Sequence, residues 1–176
     1  MIDPLFNIVV SLFLSGLLLA SARHKLVDRT AFIQAVSAYH LLPNRLVAAA
    51  SVFLALGELL IGVALLLPFA QPWAGWAAAL IFSTYAVAMS INLSRGLIDI
   101  DCGCSLGRSG FRLSWLHPAR NAILICLALL TLVPMTGRPL IWFDLVQTAA
   151  AVIVLGFLYL AAEALLSNRA LMEKNA

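Results

Sequence analysis

Long uncharged stretches alternate with short polar ones along the whole chain. Pro4 to Ala22 is rich in Leu, Phe, Ile and Val and carries no charge. A membrane-crossing helix needs about 20 such residues. A cleaved export signal places basic residues ahead of its apolar run. Here Arg23, His24 and Lys25 follow it, so the stretch reads as a first membrane helix. Between Arg23 and Arg45, Phe32, Ile33, Val36 and Tyr39 recur at helical spacing among Asp28, Arg29 and Gln34. That pattern predicts a short amphipathic helix at the interface, ending before Pro43. From Leu46 to Ser94 the only charge is Glu58. The run is too long for one crossing, and Pro68, Gln71 and Pro72 mark a reversal within it. Spans are therefore expected at about 46–67 and 73–93, with Trp73 and Trp76 as interfacial aromatics. A polar, glycine-bearing loop covers 94–118. Two further spans follow at about 119–137 and 143–163, separated by a turn framed by Pro134 and Pro139. The expected fold is all-α: an integral membrane helical bundle of about five transmembrane helices, four in a core plus one. Residues 1–176 read as a single transmembrane domain.

Composition agrees with that pattern. Of 176 residues, 63% are hydrophobic and 11% charged, against roughly 25% charged in an average soluble domain. A soluble fold of this size has no interior large enough for so much apolar surface. The lipid bilayer is the expected surrounding. The basic residues form no stripe with interleaved aromatics, so nucleic acid is not an expected partner. With five spans, Arg23, Lys25, Arg29, Arg45, Arg95, Arg108, Arg112, Arg120, Arg169 and Lys174 fall on one side, and Arg138 on the other. The positive-inside rule then puts the N-terminus outside and the 94–118 loop in the cytoplasm.

The candidate chemistry lies in that loop, in Asp99-Ile-Asp-Cys-Gly-Cys-Ser-Leu-Gly107. Cys102 and Cys104 are one glycine apart. A disulfide closing so small a ring is strained, hence easily reduced, and labile disulfides are the catalytic or regulatory kind. Arg108 and Arg112 favour a thiolate, while Asp99 and Asp101 oppose it. Three readings stay open on the residues: a redox-active dithiol, two ordinary thiols in a turn, or half a metal site with His117. The Cys-x-Cys spacing is short for zinc, and no second pair of cysteines exists. No motif calls for a resident cofactor or metal.

Outside the loop, Cys126 lies within a span and reads as a small buried apolar side chain. The sharper alternative is a relay thiol for the loop pair. Glu58 is an ionisable group inside a span, which requires a partner or a function. Hydrogen bonding between helices and a proton- or quinone-linked role are its two readings. Arg120 either snorkels to the interface or pairs with Asp99 or Asp101. His24 and Lys25 read as interface anchors, and Asp144 and Glu163 as solvated residues near span ends. No phosphate-binding loop, nucleophile elbow or paired-carboxylate pattern is present.

Several of these residues fall in one order. Ser21-Ala-x-His-Lys-Leu-x-Asp28, Phe32, Tyr39-x-Leu-Leu-Pro43, Glu58, Asn92-Leu-x-Arg-Gly96, Ile100-Asp-Cys-Gly-Cys104 and Arg120-Asn121 together resemble the methylamine utilization protein MauE family, within the DoxX-like membrane proteins. The resemblance implies a bacterial inner-membrane protein that serves maturation of the disulfide-rich small subunit of methylamine dehydrogenase. It also implies a thioredoxin-like exported partner and thiol–disulfide oxidoreductase chemistry at Cys102 and Cys104. A client that folds outside the cytoplasm conflicts with a cysteine loop placed inside by charge. The competing classes are a non-enzymatic membrane scaffold docking through Arg23–Arg45, and a small transporter using Glu58.

Overall fold

In a computed structural model, which describes residues 3–97, 113–134 and 136–174, all regular structure among the described residues is helical. The side chains of 166–174 are left aside. The helices are α1 (Pro4–Val27), α2 (Arg29–Ala38), α3 (Asn44–Ala64), α4 (Gln71–Ser94), α5 (Leu116–Leu130) and α6 (Trp142–Lys174). Four of them, α1, α3, α4 and the first part of α6, are long and apolar enough to cross a membrane. With α5 they make the expected helical membrane bundle.

Local chemistry sets the helix ends. Asp3 caps α1 by accepting from the Leu5 N–H at 2.9 Å, with Pro4 in the first turn. Asp28 lies between α1 and α2 and accepts from the Ala31 N–H at 3.1 Å. That bond, with Thr30 at 3.0 Å, holds its carboxyl below the usual carboxylate range. His40 has φ of 50° and turns the chain out of α2 ahead of Pro43. At the end of α4, Gly96 (φ 74°) lets the Leu97 N–H return to the Asn92 carbonyl at 3.0 Å. α5 ends at Leu130, well before the expected limit of the fourth span. At 15 residues it rises only about 22 Å, short of the roughly 30 Å hydrocarbon core.

The core is a closed ring in which α1 packs on α3, α3 on α4, α4 on α5 and α5 back on α1. α2 lies against α3, and α6 stands outside the ring against α1. Close approach depends on small residues, as expected where lipid offers no hydrophobic drive for helix association. Ser15 donates to the Gly62 carbonyl at 2.7 Å, and Gly62 lies directly under Leu18 and Leu19. Gly75 faces Thr131 and Leu132 so closely that no side chain fits between α4 and α5.

Polar contacts also give the bundle two distinct ends. At one, Asn7 donates to the Thr131 carbonyl at 2.9 Å, Gln71 donates to Ser11 at 2.9 Å, and Arg138 bridges Asp3 (3.2 Å) and Asp144 (3.1 Å). At the other end come the C-termini of α1 and α4 and the N-termini of α3 and α5. Arg23, Arg29, Arg45 and Arg95 are exposed there. Asp144, expected to be solvated, is instead buried, because it also caps α6 by accepting from the Ile141 N–H at 2.9 Å.

Candidate functional site

A second group of interior polar residues lies toward the basic end. Lys25, expected as an interface anchor, is almost wholly buried at 2% exposure. A helical side chain leans toward its own N-terminus. Lys25, near the C-terminal end of α1, therefore reaches back into the bundle rather than out to the interface. There it forms an ion pair with Glu58 of α3. Its Nζ also donates to the Tyr85 Oη of α4 at 2.8 Å, and Tyr85 donates in turn to the same Glu58 oxygen at 2.6 Å. The ammonium lies 4.4 Å from the Tyr85 ring centroid and 4.9 Å from that of Phe32. Three helices of the ring thus meet in one charge-neutral cluster. Neutrality is what permits it, since each unpaired ion in such a place costs several kcal/mol.

Glu58 therefore has an interhelical bonding role, and its partner is a cation that the sequence pattern did not single out. Its second oxygen, Oε2, has no hydrogen-bond partner among the described residues. Beside it is a cavity of about 30 Å³, lined among others by Ser21, Arg120, Asn121 and Tyr159.

Arg120 forms a second, largely buried ion pair, with Glu163 of α6. Its guanidinium lies 5.6 Å from the Tyr159 ring centroid. This corrects two expectations. Arg120 does not snorkel outward and Glu163 is not solvated, while the expected pairing of Arg120 with Asp99 or Asp101 falls outside the described residues. The pair, with the edge-on contact of Phe13 and Tyr159 at 6.2 Å, ties the outer helix to the ring. Cys126 is corrected as well. It is exposed on the outer face of α5 rather than buried.

Cys102, Cys104 and Asp101 fall in 98–112, outside the described residues. The segment's two attachments are described. It leaves from Leu97, just past the capped end of α4, and rejoins at Leu113, which is buried in the core. His117 opens α5 next to it and bonds back to Ser114, the Nδ1 lying 3.2 Å from the Ser114 N–H. Asn92, two residues before the end of α4, is fully buried. Neither side-chain polar atom of Asn92 has a partner among the described residues. Asn121, one turn into α5, donates to the Met89 sulfur at 3.6 Å. The cysteine loop is therefore strung between two helix ends with buried amides at their feet. The Lys25–Glu58–Tyr85 cluster lies deeper, Tyr85 preceding the end of α4 by about 14 Å of helical rise.

Comparison with known proteins agrees with this architecture. A family model described as "Methylamine utilisation protein MauE" matches residues 3–134. Among curated relatives, "Methylamine utilization protein MauE" of Methylophilus methylotrophus is 30% identical over 174 residues, covering 98% of this chain and 92% of the relative. The protein of the same name from Paracoccus versutus is 33% identical over 165 residues, covering 93% and 88%. That from Paracoccus denitrificans is 36% identical over 132 residues, covering 73% and 69%. No solved structure matches. A family match over most of the chain, carried by a multi-pass helical bundle, makes this chain a member of the MauE family of methylamine utilisation proteins.

Proposed function

We propose that this protein serves, in the bacterial cytoplasmic membrane, the maturation of the disulfide-rich small subunit of methylamine dehydrogenase or a similar client. Cys102 and Cys104 exchange electrons with a thioredoxin-like exported partner. A thiolate on one side attacks the disulfide on the other, and a mixed disulfide forms. The second thiolate of the attacking pair resolves it. One pair ends oxidised and the other reduced, and the two protons follow the electrons. No further oxidant enters the exchange.

One observation carries the reading: this MauE-family chain has a Cys-Gly-Cys pair in the segment that joins α4 to α5. Arg108 and Arg95 are the cations nearest in sequence to the thiols. The concentration of exposed arginines at this end favours a cytoplasmic loop by the positive-inside rule, whereas direct exchange with an exported partner requires the loop outside, and the labelling below decides between the two. The neutral pairing of Glu58 with Lys25 favours this reading over a transporter built on Glu58.

The test is thiol labelling in intact cells with a membrane-impermeant reagent, alongside Cys102→Ser and Cys104→Ser. Each variant is expected to abolish client maturation while the protein stays at normal abundance in the membrane. Full maturation with either serine in place removes the redox role, and labelling from outside overturns the orientation.

A further inference from the structure

Glu58 is 1% exposed, and its Oε1 is satisfied twice, by Lys25 and by Tyr85. Its Oε2 is equally buried and has no hydrogen-bond partner among the described residues. An unsatisfied buried carboxylate oxygen costs on the order of 1–3 kcal/mol or more. Ser21, Tyr85, Arg120, Asn121 and Tyr159, all with hydrogen-bonding capacity, share the lining of the adjoining cavity with apolar side chains such as Leu18 and Leu124. A retained internal water needs room and about two to four polar partners, and the orphaned acceptor with the polar side chains of this lining can supply them. The cavity's volume, about 30 Å³, suits on the order of one or two such molecules.

Charge selects among small ligands. Lys25 neutralises Glu58, and Glu163 neutralises Arg120. A cation or an anion entering between the pairs lacks a compensating charge and pays full desolvation. A neutral donor that also accepts meets no such penalty. Water is the molecule of that size with both capacities.

We propose that the cavity beside Glu58 is an internal hydration site whose water joins the Lys25–Glu58–Tyr85 cluster to the Arg120–Glu163 pair. The two ion pairs then form one network holding α1, α3, α4, α5 and α6. This inference is independent of the cysteine chemistry.

Radiolytic footprinting of the full chain in detergent, read by mass spectrometry, tests it, because hydroxyl radicals formed from a bound water oxidise adjacent side chains. Phe82 lines the cavity, and Phe13 does not, at nearly equal exposure of 6% and 7%. Phe82 is expected to be oxidised several-fold faster than Phe13. Leu124→Phe, which fills the cavity, is expected to bring Phe82 down to the Phe13 rate. Equal rates in the unaltered chain mean a dry cavity and overturn the proposal, whatever the variant does. A rise in melting temperature with methylammonium chloride, beyond that with sodium chloride, assigns the site to a small cation and overturns it equally.

Discussion

Lys25→Met isolates the physics of the buried cluster. The substitution keeps an unbranched chain of similar length but removes the ammonium. Glu58 then loses its counter-ion and keeps only the donation from Tyr85 at 2.6 Å. Breaking a buried pair from one side costs about 3–5 kcal/mol, because the remaining charge is uncompensated. For a chain of this size each kcal/mol moves the melting temperature by roughly 2–4 °C, so a fall of roughly 6–20 °C is expected. Glu58→Gln should cost a comparable amount, since it strands the ammonium. The double variant Lys25→Met/Glu58→Met removes both charges together. Replacing a buried pair by apolar side chains is often neutral or stabilising by about 1–4 kcal/mol. The double variant is therefore expected near the stability of the unaltered protein, giving a coupling of several kcal/mol. Equilibrium unfolding in mixed micelles across the four-protein cycle measures it. If Lys25→Met costs less than about 1 kcal/mol, or if the two losses simply add, the charges are not paired in a low-dielectric interior and the reasoning fails.

Gly75→Ala places a Cβ 2.5 Å from the Thr131 hydroxyl and 3.3 Å from the Ala128 carbonyl, so it should push α5 off α4 at about 1–3 kcal/mol. Gly16→Ala meets nothing within 4 Å and should raise stability by about 0.5–1 kcal/mol; thermal unfolding of the two variants checks the contrast. Asn92→Leu removes two buried polar atoms that have no partner among the described residues, and should raise stability by about 1–3 kcal/mol. If client maturation falls while stability rises, the amide serves the neighbouring cysteine loop. Asp28 has a carboxyl held low by its bonds to α2. Its stabilisation is complete above the ordinary carboxylate range and is lost as pH falls through the lowered folded value. Protection of the Ala31 amide against exchange should therefore fall as pH drops below the ordinary carboxylate range, and Asp28→Ala should remove that pH dependence.

How far the fold was legible follows from the physics of a bilayer. Apolar run length located the long helices, because crossing hydrocarbon demands it, and the alternation around Phe32 and Val36 located the amphipathic α2. The same logic failed wherever it had to tell inside from outside. A membrane helix is apolar all round, so its periodicity carries little information about the buried face. Cys126 among Ile and Leu gave no such signal, and the structure turns it outward. Lys25, beside Arg23 and His24, read as an end-of-helix anchor. Only contact with Glu58, 33 residues on, reveals its role. Arg120 read in part as a snorkelling interface residue, whereas it is largely buried against Glu163 on the last helix. These are tertiary pairings, and no local pattern encodes them.

A usable signal was nevertheless present, in inverted form. Asn7, Ser11 and Ser15 recur every fourth residue on α1, and all three face the interior, as do Ser51 and Glu58 on α3 and Asn121 and Thr131 on or beside α5. In lipid the polar side chain is the one driven inward, because only the bundle offers it a partner. Reading polar periodicity as the core face therefore places α1 correctly from sequence alone. It also identifies Glu58 and Asn121 as neighbours in one interior, where hydrophobicity sees only five similar apolar runs.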